Sequence, residues 1–244
     1  MILNLIDKLI KNEKNVSYLI GGLLAITIVI LLFFATKKKK FETSDVACIG
    51  IFTAFSIVLY FVKFNLPFIF PSFLEINFSL LPIIIIGYML GPIEAVIVVI
   101  TRCLIKIPFT STFCVGEIAD LLIGIPVALI TSLIYKKYHT KKGAIISLLF
   151  GSLTWAIISI FTNYFINVPF FLQLYCNGNV EAFIGSLGVI PGVTVENYMS
   201  KYIIFAVIPF NLLIASVVSL VTFLVYKKIS VIFNKISKKQ EIID

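Results

Sequence analysis

Long apolar runs separated by short polar stretches dominate the chain. A helix needs about 20 apolar residues to cross the hydrocarbon core of a bilayer. The pattern predicts an all-α integral membrane protein, a bundle of six helices preceded by one extra N-terminal transmembrane helix. The predicted spans are Val16–Thr36, Asp45–Val62, Leu74–Leu90, Pro92–Ile107, Val115–Tyr135, Gly143–Val168 and Tyr202–Tyr226.

Composition agrees with this pattern. Of the 244 residues, 60% are hydrophobic and 13% are charged, whereas a soluble domain averages roughly 45–50% apolar and about 25% charged residues. A soluble globular enzyme is therefore excluded. The few polar residues inside the spans become the informative ones, because polar groups are costly within a membrane.

The distribution of lysines predicts the topology. The formal net charge is +8, and thirteen of the 20 basic residues lie in three clusters, at 37–40, 136–142 and 227–239. Basic clusters at the ends of spans mark the cytoplasmic side and favour contact with anionic lipid, so nucleic acid is a poor candidate partner. Residues 79–101 could form one helix by length alone, but a break at Gly91-Pro92 is needed to place all three clusters inside the cell.

This topology divides the chain into three parts. Residues 1–40 are predicted to form the extra helix and a lysine-rich cytoplasmic linker, residues 41–229 the six-helix membrane domain, and residues 230–244 a cytoplasmic tail. The outer loops are predicted at 63–73, 108–114 and 169–201. The last is long, and loops of that length are more often functional than plain connections.

Two asparagines lie within the predicted spans at comparable depth. At a rise of about 1.5 Å per residue, Asn163 lies roughly 8 Å and Asn211 roughly 14 Å from the outer surface. Paired amides present donors and acceptors that match the edge of a heterocycle. They also form hydrogen bonds between helices, and position alone leaves both roles open.

Four charged residues gather in the same outer half. Arg102 and Lys106 approach the outer end of one helix, and Glu117 and Asp120 begin the next. Long basic side chains by default extend towards the membrane interface. Acidic residues at a helix N-terminus are favourable with or without a ligand. The four charges could alternatively form a proton or ion path, as in a secondary transporter or channel.

The motifs of the sequence do not indicate catalysis. The sequence contains no G-x-x-x-x-G-K-[ST], H-E-x-x-H or G-x-S-x-G motif, and its four cysteines form no C-x-x-C pair. We therefore expect no enzyme activity, no metal site and no cofactor. Gly50 and Ala54 have the small-x-x-x-small spacing that permits close helix contact, either with another helix of the chain or with another protein.

A series of ordered motifs resembles one family. These are Leu66-Pro67-Phe68, Pro71 to Ser79, Gly91-Pro92, Thr110-Ser111-Thr112, Val115-Gly116-Glu117, Asn163-Tyr164-Phe165 and Ile208-Pro209-Phe210-Asn211. The region from Asp45 to the last helix resembles the substrate-binding S components of energy-coupling factor (ECF) transporters, and within them the riboflavin-specific branch.

The resemblance implies a six-helix S-component bundle in the bacterial plasma membrane, capped by the loop at 63–78. It implies capture of riboflavin as a transported ligand, with a membrane coupling protein and two cytoplasmic ATPase subunits as partners. It places the coupling contact around Gly50 and Ala54. The substrate-binding positions that it implies are Asn163, Asn211, Leu74, Asn77, Tyr164 and Glu117.

The chain departs from the riboflavin-binding pattern at several positions. Ile214 stands where a lysine is usual, Asn77 and Leu80 replace acidic residues, and Arg102 and Cys103 replace a basic residue and an asparagine. A different flavin or another flat vitamin therefore remains an alternative ligand. A further alternative is a structural or assembly protein in which the buried polar groups only join helices.

Overall fold

The computed structural model describes residues 41–110 and 114–240. The predicted helix Val16–Thr36 and the lysines at 37–40 lie outside the described residues. The helices within them are α1 (Thr43–Phe61), α2 (Leu80–Met89), α3 (Pro92–Lys106), α4 (Val115–Lys137), α5 (Lys141–Thr162), α6 (Val168–Tyr175), α7 (Val180–Ser186), α8 (Tyr198–Tyr202) and α9 (Ile208–Gln240).

Four of the helical segments are long and apolar enough to cross a membrane. These are α1, α4, the continuous segment Lys141–Tyr175 and the continuous segment Tyr198–Lys228. Helices α2 and α3 are shorter, with 10 and 15 residues. The predicted six core helices, two of them short, are therefore confirmed, and α9 continues into the predicted tail segment 230–244.

The predicted break at Gly91-Pro92 is also confirmed. Helix α2 ends at Met89 and α3 begins at Pro92, its first helical residue. Gly91 has φ +129°, a backbone conformation that residues with a Cβ rarely adopt. Proline suits the first helical position because no intrahelical partner exists there for the N–H that it lacks.

The predicted start of the second core helix at Leu74 is wrong, because residues 74–79 form other structure. Strand β2 (Glu75–Ile76) pairs antiparallel with β1 (Phe64–Asn65), with Phe64 opposite Ile76. The Oδ1 atom of Asn77 then accepts hydrogen bonds from the backbone N–H and the hydroxyl of Ser79, just before α2. The hairpin therefore takes up the residues that precede Leu80.

Two π turns interrupt the last long helices. The first spans Asn163–Asn167 between α5 and α6, and the second spans Ile203–Val207 between α8 and α9. Because the first helical segment continues to Tyr175 and α7 forms at Val180–Ser186, the prediction of an outer loop over all of 169–201 is wrong. Short π segments occur frequently at functional sites.

The core forms where α4 packs against α2, α3 and α5, while α9 packs against α5 and α2. Fully buried Ile83, Ile86, Val98 and Val99 lie in the main apolar cluster. A second cluster, which includes Phe183, Leu187 and Tyr202, gathers the region between α6 and the second π turn. The helices thus surround a largely apolar interior that also contains buried polar groups.

Candidate substrate-binding cavity

A cavity of about 640 Å³ lies inside the bundle. Its lining comes from the end of α1, the β1–β2 hairpin region, α3, α4, α5, α8 and α9, together with aromatic residues of α6 and α7. The volume falls within the roughly 300–1,000 Å³ typical of small-molecule pockets. Its lining brings together the predicted polar residues of separate spans around one cavity.

Asn163 and Asn211 form one surface of the cavity, called here the amide wall. Asn163 is 7% exposed and Asn211 is 9% exposed. Nδ2 of Asn163 donates to the Ser159 carbonyl at 2.8 Å, and Nδ2 of Asn211 donates to the Val207 carbonyl at 2.8 Å. Each amide nitrogen has a second N–H that these bonds leave available.

Two aromatic donors and a serine hold the amide wall in place. Trp155 Nε1 and the Ser159 hydroxyl donate to Oδ1 of Asn211 at 3.1 Å and 3.0 Å. The Tyr202 hydroxyl donates to Oδ1 of Asn163 at 3.0 Å. Both amides are therefore fixed by hydrogen bonds between helices, and both also line the cavity.

A second surface, the charged wall, consists of Arg102 and Lys106 from α3 with Glu117 and Asp120 from α4. Lys106 is 4% exposed. Its Nζ lies 2.9 Å from Asp120 Oδ2 and 3.4 Å from Glu117 Oε1. The same ammonium lies 3.4 Å from the ring centroid of Tyr60. The expectation that Lys106 extends to the membrane interface is wrong, because two carboxylates and a ring hold it inside.

The Arg102 side chain does not extend to the membrane interface either. It is 1% exposed and lines the cavity. Its Nη1 donates to the Ser79 hydroxyl at 2.5 Å, and its Nη2 lies 3.8 Å from Cys103 Sγ. Ser79 connects onwards, because its carbonyl accepts from the Ser56 hydroxyl of α1 at 2.6 Å. Arg102 is thus anchored to the start of α2.

The remaining predicted substrate residues divide into two groups. Leu74, Asn77 and Glu117 line the cavity with Asn163 and Asn211. Tyr164 is not among the described residues that line the cavity. Its ring contacts Phe165 with the centroids 5.0 Å apart.

The predicted partner surface lies apart from the cavity, on α1. Gly50 and Ala54 are both exposed. Beyond the neighbouring backbone of α1 itself, a Cβ added at Gly50 would have no heavy atom of the described structure within 4 Å. Of the two partners left open by the spacing, another described helix of this chain is therefore excluded at Gly50.

Sequence reasoning missed Trp155 and Tyr202. A signal was available for Trp155, the single tryptophan of the chain, because an indole N–H inside a span needs an acceptor. Tyr202 stood at a predicted span boundary and carried no such signal. Within residues 41–110 and 114–228, no cluster of metal-ligating side chains is present.

The bundle and its cavity define a multi-pass helical membrane protein with room for a small molecule. The sequence profile of the family described as "ECF transporter, substrate-specific component" matches residues 44–226. The chain therefore belongs to the substrate-specific components of ECF transporters. As a member, it is a multi-pass protein of the bacterial cell membrane.

Individual relatives agree with this assignment. The riboflavin transporter RibU of Staphylococcus aureus is 28% identical over 82% of this chain and 97% of its own length. The riboflavin transporter RibU of Streptococcus thermophilus is 27% identical over 84% of this chain and 89% of its length.

The riboflavin transporter FmnP of Bacillus subtilis is 23% identical over 77% of this chain and 93% of its own length. A solved structure described as the S component of a bacterial ECF transporter aligns with a TM-score of 0.57 and 27% identity. That alignment covers 76% of this chain and 95% of the solved one.

Proposed function

We propose that this chain captures riboflavin from outside the cell and delivers it through an ECF coupling protein. The observation that carries the proposal is the amide wall, in which two oriented asparagines from neighbouring helices border one cavity. The names of the relatives, all riboflavin transporters, support the same ligand.

The amide wall suits the edge of an isoalloxazine ring. The pyrimidine part of that ring presents carbonyl acceptors and an N–H donor, and Asn163 and Asn211 each retain an amide N–H beyond the bonds described above. Phe210, Trp155 and Ile214 also line the cavity and offer apolar surface to the ring faces. Ile214 contributes no charge, so recognition of the ring rests on neutral amides.

The other predicted residues take supporting roles in this proposal. Leu74 and Asn77 would contact the ligand from the hairpin region, and Glu117 from the start of α4. Tyr164 packs on Phe165 and would act through the first π turn, in which it follows Asn163. The chain would need neither a cofactor nor a catalytic group, because the vitamin is moved and not altered.

The energy for transport would come from other subunits. We expect a membrane coupling protein and two cytoplasmic ATPases, with the exposed surface of α1 around Gly50 and Ala54 as the contact. Small residues on an unoccupied helix surface allow a second helix to approach closely. The surface is separate from the cavity lining, so partner and ligand could bind together.

The identity of the ligand can be tested by identifying a small molecule that co-purifies with the chain. The chain is purified in mild detergent, washed, and denatured to release any bound compound. We expect a yellow extract with the absorbance and mass of riboflavin. An extract that contains a different vitamin, or a chain that neither carries nor takes up a flavin, would contradict the proposal.

A further inference from the structure

Arg102 is a buried cation without a carboxylate partner. Within the described residues, its contacts are the Ser79 hydroxyl and Cys103 Sγ, and its Nε has no hydrogen-bond partner. A guanidinium has five N–H donors, so most of them remain available. A buried charge of this kind is costly unless acceptor atoms compensate it, and here it borders a cavity.

Asp120 supplies the complementary chemistry on the same wall. Its side chain is 30% exposed, and Lys106 engages Oδ2 at 2.9 Å. Within the described residues, no contact engages its Oδ1. An ionised carboxylate only accepts hydrogen bonds, whereas a guanidinium only donates them. Both kinds of group therefore border the same cavity.

The two walls belong to different helices. The charged wall comes from α3 and α4, while the amide wall comes from the first π turn, directly after α5, and from α9. A ligand that contacts both must carry two kinds of polar group. A hydroxyl group both donates and accepts, so a chain of hydroxyls satisfies Arg102 and Asp120 together. An anionic group would pair with Arg102 but has no hydrogen to donate to Asp120, so it would satisfy only one of the two groups.

We propose that Arg102 and Asp120 bind the hydroxyl-bearing side chain of the ligand, with Arg102 donating to one hydroxyl oxygen and Asp120 accepting from another. This inference rests on the proposed function, and it assigns the ring to the amide wall and the polyol to the charged wall. Ligand specificity would then depend on both walls.

The test compares riboflavin with lumiflavin, which has the same ring but a methyl group in place of the polyol. Affinities are measured by flavin fluorescence for the parent chain and for Arg102→Gln, Arg102→Lys, Asp120→Asn and Asn211→Ala. We expect Arg102→Gln and Asp120→Asn to weaken riboflavin binding at least tenfold and to change lumiflavin binding less than threefold. Asn211→Ala should weaken the binding of both ligands.

The outcomes separate this inference from the proposed function. A parent chain that binds neither flavin contradicts the proposed function. A parent that binds riboflavin, with variants that lose both ligands equally or lose neither, overturns the inference alone. Arg102→Lys keeps the buried charge, and Asp120→Asn keeps the side-chain shape, so the comparison holds even if Arg102→Gln fails to fold. Arg102→Lys should bind riboflavin more tightly than Arg102→Gln does.

Discussion

The indole Nε1 of Trp155 donates a hydrogen bond to Oδ1 of Asn211 across 3.1 Å, joining α5 to α9. The Ser159 hydroxyl shares this acceptor at 3.0 Å, and the Asn211 nitrogen donates to the Val207 carbonyl. Three bonds therefore set the orientation of the amide before a ligand arrives. Preorganisation of this kind lowers the entropic cost of binding.

Replacement of Asn211 by alanine should weaken riboflavin binding at least about tenfold, equivalent to about 1.4 kcal/mol. The variant removes an oriented amide from the cavity and leaves the Trp155 indole without its acceptor, so the melting temperature should fall as well. Titration calorimetry and thermal unfolding with and without riboflavin measure the two effects.

Ser219→Ala is the matched control for Asn211→Ala. Its hydroxyl also joins α9 to α5, by a 3.0 Å hydrogen bond to Ser152, but Ser219 lies outside the cavity lining. We expect this variant to retain the riboflavin-induced rise in melting temperature. If both variants kept that rise in full, Asn211 would be only a packing residue.

Emission from Trp155 should report ligand binding directly. Trp155 is the single tryptophan of the chain and lines the cavity. Flavins accept excitation energy from nearby indoles. Addition of riboflavin should therefore quench the protein emission in a saturable way. Trp155→Phe should abolish the tryptophan signal, while flavin fluorescence should still detect binding, weakened by the loss of the indole donor to Asn211. Saturable binding without any quenching of Trp155 would place the ligand elsewhere.

Removal of the Lys106 charge should destabilise the protein strongly. Lys106→Met leaves the carboxylates of Glu117 and Asp120 without the cation that they share, and breaking a buried ion pair typically costs about 3–5 kcal/mol. Unfolding in detergent, followed by circular dichroism, measures the loss.

Lys63→Met provides the comparison, because it removes a lysine from the exposed pair with Glu75, at 2.7 Å. An exposed pair contributes about 0–1 kcal/mol. Similar losses of stability for the two variants would show that burial does not determine the strength of the Lys106 contacts.

Gly50→Leu should reduce association with the coupling protein and leave riboflavin affinity unchanged. The larger side chain would keep another helix from approaching α1 at a position now open. Ala54→Leu should act in the same direction. Co-purification of the tagged coupling protein with each variant measures the association.

Gly185→Leu makes the same chemical change at another open position, in α7. It should leave the complex intact. Equal recovery of the coupling protein with Gly50→Leu, Ala54→Leu and Gly185→Leu would move the partner contact away from this part of α1.

The helices and the gathering of polar residues could be predicted from the sequence, because both follow from the local pattern of apolar and charged residues. Span length locates the helices, and the lysine clusters require the break that Gly91 and Pro92 provide. The two-residue strand Glu75–Ile76 was missed, since so short a pairing has no alternation of its own and depends on a partner strand.

The π turns and the position of Arg102 could not be predicted for a different reason. A π turn adds one residue to a helical turn without a distinct sequence signature, so the start of one at Asn163 is visible only in the structure. In the sequence, Arg102 lies as close to the predicted end of its span as a basic residue whose side chain reaches the membrane interface. Its burial follows from the packing of α3 against α1, α2 and α4.

A titration of the purified chain with riboflavin tests the central claim most directly. The account predicts tight, saturable quenching of flavin fluorescence with one riboflavin bound per chain, and marked weakening when Asn163 and Asn211 are both replaced by alanine. Absence of quenching by a folded parent chain first stripped of bound small molecules, or quenching unchanged in that double variant, would contradict it.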